Sequence, residues 1–391
     1  MHFRRRLLVF ILCMAPTACL GPRPYIDAAY RDWQKAVPPH ASQRIFQVFL
    51  IGDAGAATTS SPVLRLLRAH LDKADSLGAV VFLGDNLYCC GMPDSGAVGR
   101  AEAEGTLRAQ IKATRGFSGR VVFIPGNHDW NRSRPGGRAS LARQEAFIEA
   151  ALPEQGNAFL PDDGLPGPTA VRLNDNLTLV TLDTEWWLEQ PIRQLDERTT
   201  SDPTDAAFFV SLRQMIAEHQ GEQLLIVGHH PIYSNGRHAG HRSPWLHLFP
   251  LTAAWQHAYL PLPLLGSLYV WVTGGSNRLQ DLSGKRYRTL RDSLEQIFAT
   301  HDGNLIYAAG YEHNLQVFER RGQHFVISGA GSKSPDYVAK SNQATFTDAA
   351  PGFMCLAYYR DGSVWLTVTV LDERNLAGRI AFQQQLNGHR G

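Results

Sequence analysis

Five short apolar runs in this chain each end in a side chain able to hold a metal ion, and that repetition limits the folds open to it. Phe46 to Ile51 leads into Gly52-Asp53, and Ala79 to Leu83 into Gly84-Asp85-Asn86-Leu87-Tyr88. Val121 to Ile124 leads into Gly126-Asn127-His128-Asp129, Leu224 to Val227 into Gly228-His229-His230-Pro231, and Leu305 to Ala309 into Gly310-Tyr311-Glu312-His313. Apolar runs this short read as strands buried on both faces of an α/β sheet. Ligands in such sheets bind beyond the carboxyl ends of the strands, so donors from separate strand ends can converge on one point. A Gly before each ligand lets the backbone turn sharply there.

The rest of the chain agrees with an α/β domain. Ser61-Pro62 opens a helix whose Val63, Leu67 and Leu71 share one face, with Pro at a favoured first position. Further helices are expected near 100–114, carrying Leu107 and Ile111, and near 205–219, carrying Phe208, Leu212, Met215 and Ile216 before Gly221. Strands alternating with such helices predict βαβ units and parallel pairing. Beyond them, Val317-Phe318, Phe325 to Ser328, Met354 to Tyr359 and Val364 to Leu371 read as antiparallel strands, with Asp361-Gly362 as the turn of the last pair. Residues 20–44 read as a tether, 45–391 as the domain, and 239–300 as an insertion in it. In that insertion Tyr259 to Val272 is strongly apolar but holds Pro261 and Pro263, which rules out a regular spanning helix. It reads as a buried insertion packed on the domain, with a membrane- or partner-facing flap as the alternative.

Residues 1–19 form a targeting segment: Arg4-Arg5-Arg6, the apolar stretch Leu7 to Met14, then small residues up to Cys19. The stretch is too short to span a bilayer, and the chain is expected to be exported, whether to the periplasm, the medium or a membrane surface. Cys19 suits a lipoprotein cleavage box and would then tether the chain to a membrane, although Pro16 stands where Leu is usual. Of the five cysteines only Cys89, Cys90 and Cys355 follow the leader, so this is no disulfide scaffold. A net charge of +2 from scattered basic residues gives no nucleic-acid surface.

Asp and Tyr oxygens are hard donors, His nitrogens borderline, and Asn adds a neutral carbonyl. Together they favour iron, manganese or zinc over calcium, and the lack of a thiolate cluster disfavours a structural zinc. Two metals about 4 Å apart need a bridging carboxylate, and phosphate-ester chemistry is the usual work of such a pair.

Carrying these five blocks, the chain resembles the calcineurin-like metallophosphoesterases, in particular the purple acid phosphatase (tartrate-resistant acid phosphatase-like) branch. The resemblance covers roughly residues 45–335 apart from the insertion, and the blocks stand in the family's order. Most of the family place a His at the third position of the first Asp-x-His block; here Gly55 stands there, and Tyr88 looks like the ligand that replaces it. The resemblance implies a four-layer sandwich of two mixed β-sheets flanked by helices. It implies that Asp53, Asp85, Tyr88 and His313 hold a ferric ion, and that Asp85 bridges to a second metal (iron, zinc or manganese) also bound by Asn127 and His229. His128 would contact the phosphate and His238 would help protonate the leaving group. The activity implied is hydrolysis of phosphate monoesters, borne by small molecules or proteins, through a hydroxide bridging the two metals.

One departure bears on activity. The family's last block carries a metal-ligating His at its second position, where this chain has Tyr311, and a phenol ligates only after losing a proton. Two other readings therefore stand beside the first: a phosphodiesterase or nucleotide hydrolase on the same site, and a degenerate, non-catalytic binding protein.

Overall fold

The computed structural model describes residues 24–74, 77–189, 203–253, 255, 258–274, 281–332, 336–341 and 343–387. The targeting segment lies outside the described residues. The strands, in chain order, are β1 (Tyr25–Ile26), β2 (Arg44–Ile51), β3 (Gly78–Phe82), β4 (Arg120–Phe123), β5 (Thr169–Asn174), β6 (Leu177–Leu182) and β7 (Gln223–Gly228). They continue as β8 (Leu305–Ala309), β9 (Leu315–Arg320), β10 (Gln323–Ser328), β11 (Phe346–Asp348), β12 (Gly352–Tyr359), β13 (Val364–Asp372) and β14 (Asn375–Gln385). Two mixed sheets result: an eight-stranded one in the order β1-β11-β9-β10-β8-β7-β6-β5 and a six-stranded one in the order β14-β13-β12-β2-β3-β4. Parallel pairing runs through β2-β3-β4 in one sheet and through β6-β7-β8-β10 in the other. Every one of the five ligand-bearing runs is therefore a parallel strand.

The alternation along each strand shows why the runs are apolar at every position. In β2, Val48 and Leu50 face a core between the sheets shared with Val81, Leu225, Val227, Ile306 and Ala308. Phe49 and Ile51 belong to a second cluster, with Leu64 and Leu67 of the helix Pro62–Leu71 and Leu107 of the helix Arg100–Thr114. On the other sheet Ile226, Tyr307 and Phe325 share that cluster with Phe208 and Leu212 of the helix Asp205–Glu218 and Leu290 and Leu294 of the helix Lys285–Phe298. Helix, sheet, sheet, helix are the four layers expected.

Three features differ from the sequence reading. The expected tether is, from Tyr25 on, laid against the domain: β1 pairs with β11, the Tyr30 hydroxyl donates to Glu319 (2.7 Å), and Trp33 packs on Phe382. Aromatic side chains every few residues give this segment area to bury, and that outweighs its Pro and Ala content. The expected insertion is also shorter, because the helix Lys285–Phe298 buries Tyr287, Leu290, Leu294, Ile297 and Phe298 as a regular member of the outer layer. Finally, the apolar stretch near 259–272 is not buried as far as it is described: Tyr259, Leu260, Leu264, Leu265 and Leu268 are all more than half exposed.

The helix Gly137–Ala151, which the sequence reading did not single out, carries a buried Glu145 whose carboxylate accepts from the amide of Asp163 (2.9 Å). Burial, reinforced by Glu149, Asp163 and Asp162, pushes this carboxyl up to about 7. The folded state then binds more protons than the unfolded one between the ordinary Glu value of about 4.3 and that point, so this group's contribution to stability falls as pH rises through the window. Glu145→Gln should leave stability little changed below pH ~4 and raise it above pH ~7, flattening the pH profile. Urea unfolding across that range checks it, and a profile unchanged by the substitution would refute it.

Candidate metal centre

The carboxyl ends of β2, β3 and β4 meet those of β7 and β8 at one end of the sandwich, where backbone hydrogen bonds join the two sheets. The amide of Gly52 donates to Ser328 (2.7 Å) and that of Gly331 to Gly52 (3.1 Å) across the sheets, while within each sheet the amide of Asp53 donates to Gly84 (3.0 Å) and that of Gly310 to His229 (3.1 Å). Asp53 and Asp85 sit on this seam with their backbones in the left-handed region, at φ 59° and 53°, and Tyr311 does so at 71°. The sharp turns thus fall on the ligand residues themselves, a strain often found at functional sites. Of the glycines before them, Gly84 (φ 85°) shares the turning, whereas Gly126 serves close approach: a Cβ there would lie 2.3 Å from the amide nitrogen of Asp85 and 2.5 Å from its Oδ1. The single explanation given for these glycines from sequence therefore holds only in part.

Ligand atoms of Asp53, Asp85 and His229 lie within 4.8 Å of one another, all three residues buried. Around Asp53 stand the Tyr88 hydroxyl, which donates to Oδ1 (3.0 Å), and His313 Nε2, 3.6 Å from the same oxygen. The amide of Tyr311 donates to Asp53 Oδ2 (2.8 Å). Around Asp85 stand His229 Nε2, 3.4 Å from Oδ1, and His128 Nε2, 3.8 Å from Oδ2, while the His128 amide donates to Oδ1 (2.9 Å). Asn127, one residue before His128, is 6% exposed. The side chains thus fall into an Asp53 group with Tyr88 and His313, and an Asp85 group with His128 and His229, with Asn127 next in the chain to His128.

These residues fit a bound cation. Burial pushes the Asp53 carboxyl up to about 6, opposed by the nearby imidazoles of His229 and His313 and assisted by Asp85. Such a group needs positive charge to stay ionised. His229 Nδ1 is tied to the Leu83 carbonyl (2.8 Å), which makes it the protonated nitrogen and leaves Nε2 with its lone pair. That Nε2 is buried with no hydrogen-bond partner. His313 is held in the same way, its Nδ1 3.0 Å from Asp336. A buried imidazole nitrogen pointed at two carboxylates, with its other nitrogen fixed, is the arrangement of a metal ligand.

Of the site residues expected from sequence, Asp53, Asp85, Tyr88, His128, His229 and His313 come together as described. His238 stands apart from the carboxylates: its Nδ1 faces Asp281 (3.6 Å) and its ring lies 4.1 Å from that of Tyr311. Tyr311 is buried between rings, 5.4 Å from His229 and 4.5 Å from His230. Burial pushes its phenol well up, as do Tyr287 and Glu312, so loss of its proton is opposed. His230 points away from the Asp53 and Asp85 carboxylates, with Nδ1 on the Thr184 hydroxyl (2.8 Å) and Nε2 3.6 Å from Glu185, and burial holds it neutral.

Three acids that hold this arrangement in place were not recognised from sequence. Asp129 is fully buried and accepts from the amides of Asn86 (3.0 Å), Leu87 (3.0 Å) and Gly126 (2.8 Å), locking the second block to the third. Burial and the neighbouring Asp85 push its carboxyl up to about 7. Glu312 accepts from the amides of Arg237 (3.0 Å) and His238 (2.9 Å) and from the Ser234 hydroxyl (2.7 Å), fixing the loop that bears His238. Asp336 holds His313. Asp129 and Glu312 stand inside quoted blocks and had a position but no visible partner; Asp336 had no motif at all.

Parallel strand ends from two sheets, carrying this donor set, define a metal-dependent phosphoesterase framework. The family model described as calcineurin-like phosphoesterase matches residues 46–253, more than half of the chain, and the protein belongs to that family. Two solved structures share the fold. One is GAP50, the anchor in the inner membrane complex of Plasmodium, at 13% identity, with 88% of this chain and 89% of that one covered and a TM-score of 0.54. The other is the purple acid phosphatase PPD1 from seeds of yellow lupin (Lupinus luteus), at 14% identity and a TM-score of 0.53. It is covered over 53% of its length, by 87% of this chain. No curated protein matches the sequence.

The two kinds of support should separate experimentally. Asp336→Ala leaves the folded core intact and frees His313, so metal affinity should fall roughly 10–100-fold with little change in stability. Asp129→Ala leaves the buried amides of Asn86, Leu87 and Gly126 without their acceptor, at about 1–3 kcal/mol for each. That variant should lose stability first. Urea unfolding and metal titration of both proteins check this, and equal loss of stability in the two would refute the distinction.

Proposed function

We propose that this protein is an exported enzyme that hydrolyses phosphate monoesters at a dinuclear metal site. The observation that carries the reading is the buried convergence of Asp53, Asp85 and His229, flanked by Tyr88 and His313 on one side and Asn127 and His128 on the other. Asp53, Tyr88 and His313 would hold one cation, His229 and Asn127 a second, and Asp85 both. Bound there, the cations would supply an activated water and neutralise charge building on the phosphoryl group.

The chain's own residues supply the rest. His128 Nδ1 is engaged by the Cys89 carbonyl (2.5 Å) and its ring stands edge-on to Tyr88 at 4.6 Å. So fixed, it can hold a phosphoryl oxygen through Nε2. His238, with Asp281 on its Nδ1, is the residue suited to carry a proton to the leaving oxygen. A groove of about 580 Å³, lined by Gly55, Thr58, Thr59, Tyr88, Cys89 and Glu102 among others, opens beside the Asp53 group and offers room for the alcohol portion of the ester. The leader ending near Cys19 supports export.

A second reading, a phosphate-binding protein without turnover, is favoured by one observation: the buried, protonated Tyr311 beside His229, where an imidazole ligand would serve better.

Asp85→Ala should remove at least one metal per chain and nearly all hydrolysis of an aryl phosphate, whereas the parent chain should prefer monoesters to diesters. Elemental analysis with a substrate panel is the measurement; retained stoichiometry with full turnover would sink the dinuclear reading. If the first metal is ferric iron, the oxidised protein should be violet and Tyr88→Phe should bleach it.

Tyr311→His tests the second reading. A neutral imidazole binds divalent ions without first surrendering a phenolic proton, so the variant should need less added metal for half-maximal turnover. Superimposable metal titrations would show that position 311 does not limit the second site. Two inactive proteins that both bind phosphate would establish the binding reading.

A further inference from the structure

From Ser243 to Asn277 the chain holds no Lys, Arg, Asp or Glu, although charged residues make up 19% of the whole. The described part of this lobe is built from the short helix Trp245–Leu248 and the longer one that begins at Pro263, held to each other through Leu262, whose amide donates to Leu248 (2.7 Å), and packed closely at Gly266, where a Cβ would run into the carbonyls of Leu246 and His247. Several of its apolar side chains face outward, while Leu246, Leu248, Phe249 and Leu262 are half-buried. Trp245 is 63% exposed, Trp255 66%, Tyr259 64% and Leu264 87%, with Leu265 and Leu268 at 58% and 53%. Contiguous exposure of this kind marks an interaction surface.

The surroundings say what covers it. Between Arg237 and Arg288 stand six basic residues and one acid, all of them outside the uncharged stretch: Arg237, Arg242, Arg278, Lys285, Arg286, Arg288 and Asp281. The two flanks meet at the base of the lobe, where the amide of Leu282 donates to the carbonyl of His238 (3.1 Å). Arg237, Lys285 and Arg288 are exposed there, whereas Asp281 is engaged with His238. Trp and Tyr among leucines, with a basic rim, are what a membrane–water interface of anionic lipid selects. The helix Pro263–Gly274 has 12 residues, about 18 Å at ~1.5 Å each, against roughly 30 Å of hydrocarbon, so the lobe dips into the interface and does not cross it. No helix among the described residues is long and apolar enough to cross.

We infer that the lobe inserts Trp245, Trp255, Tyr259, Leu264, Leu265 and Leu268 into the surface of an anionic membrane, with Arg237, Lys285 and Arg288 on the headgroups. Because His238 lies at the base of the lobe with its ring on Tyr311, insertion sets the metal centre beside the lipid surface. The inference rests on exposure and charge alone and stands whether or not the centre turns over phosphate esters.

The test is amide hydrogen exchange of the full chain, free, on phosphatidylcholine vesicles, and on vesicles containing phosphatidylglycerol. Peptides within 245–268 should exchange at least ~10-fold more slowly on the anionic vesicles, while the helix Arg100–Thr114 is unchanged. The pair Leu264→Asp and Leu265→Asp should abolish that protection with the thermal unfolding midpoint unaltered, both proteins keeping the same leader. Protection that grows with protein concentration in the absence of lipid would assign the patch to a second copy and overturn the inference. So would vesicle association through the leader with no slowing in 245–268, or equal slowing on neutral and anionic vesicles.

Discussion

Two carboxylates held within reach of one buried imidazole set the terms for this fold. Asp53 and Asp85 are both buried; compensation for Asp53 comes first from the imidazoles of His229 and His313 and then from the Tyr88 hydroxyl, while the amides of Tyr311 and His128 donate to the two carboxylates. That compensation is incomplete, which is why burial raises Asp53 so far above an ordinary carboxyl. Parallel strands from two sheets force the pair together, so their repulsion is built into the folded state and is relieved when a cation binds it in preference to the unfolded chain. The fold and the cation site are thus linked: the strand ends that close the sandwich are the ones that bring the two carboxylates together.

The remaining order follows from that closure. Ligands on five separate strand ends have no local partner to fix them, and each is steadied by a group from elsewhere. Leu83 fixes His229, Asp336 fixes His313, Asp129 gathers the amides of the second and third blocks, and Glu312 anchors the loop of His238. The two halves are not equal. Asp53's half has a phenol and an imidazole within 3.6 Å of one oxygen, while at Asp85 stand His229 and His128, with Tyr311 packed alongside His229.

Much of this was legible in the sequence because period and chemistry coincide. Strands buried on both faces must be apolar at every position, and their ends must be polar if they hold a cation; Phe46 to Asp53 states both requirements in eight residues. Asp129, Glu312 and Asp336 were not recognised, because a carboxylate that gathers amides from other loops has a role set by the closed fold and no spacing of its own. Backbone strain at Asp53, Asp85 and Tyr311 was likewise invisible, since these residue types give little sign of a left-handed φ beside a Gly that would adopt it more easily. The stretch around Leu264 misled for a different reason: apolarity predicts removal from water, and does not say whether the protein itself or something outside it does the removing.

Tyr311 joins these threads. Its amide supports Asp53, its ring packs on His229, His230 and His238, and Glu312 beside it fixes the loop that carries His238. An imidazole here would offer a lone pair to the second metal; a phenol kept protonated by burial offers packing area and edge-to-face contacts instead. The exchange therefore trades ligation for rigidity along a line that runs from the metal centre through His238 to the base of the exposed lobe. A displacement of His238 at that base would be felt by a ring touching His229, and through it by the nitrogen aimed at Asp85. Position 311 is thus where ring contacts run without a break from His238 at the base of the lobe to His229 beside Asp85.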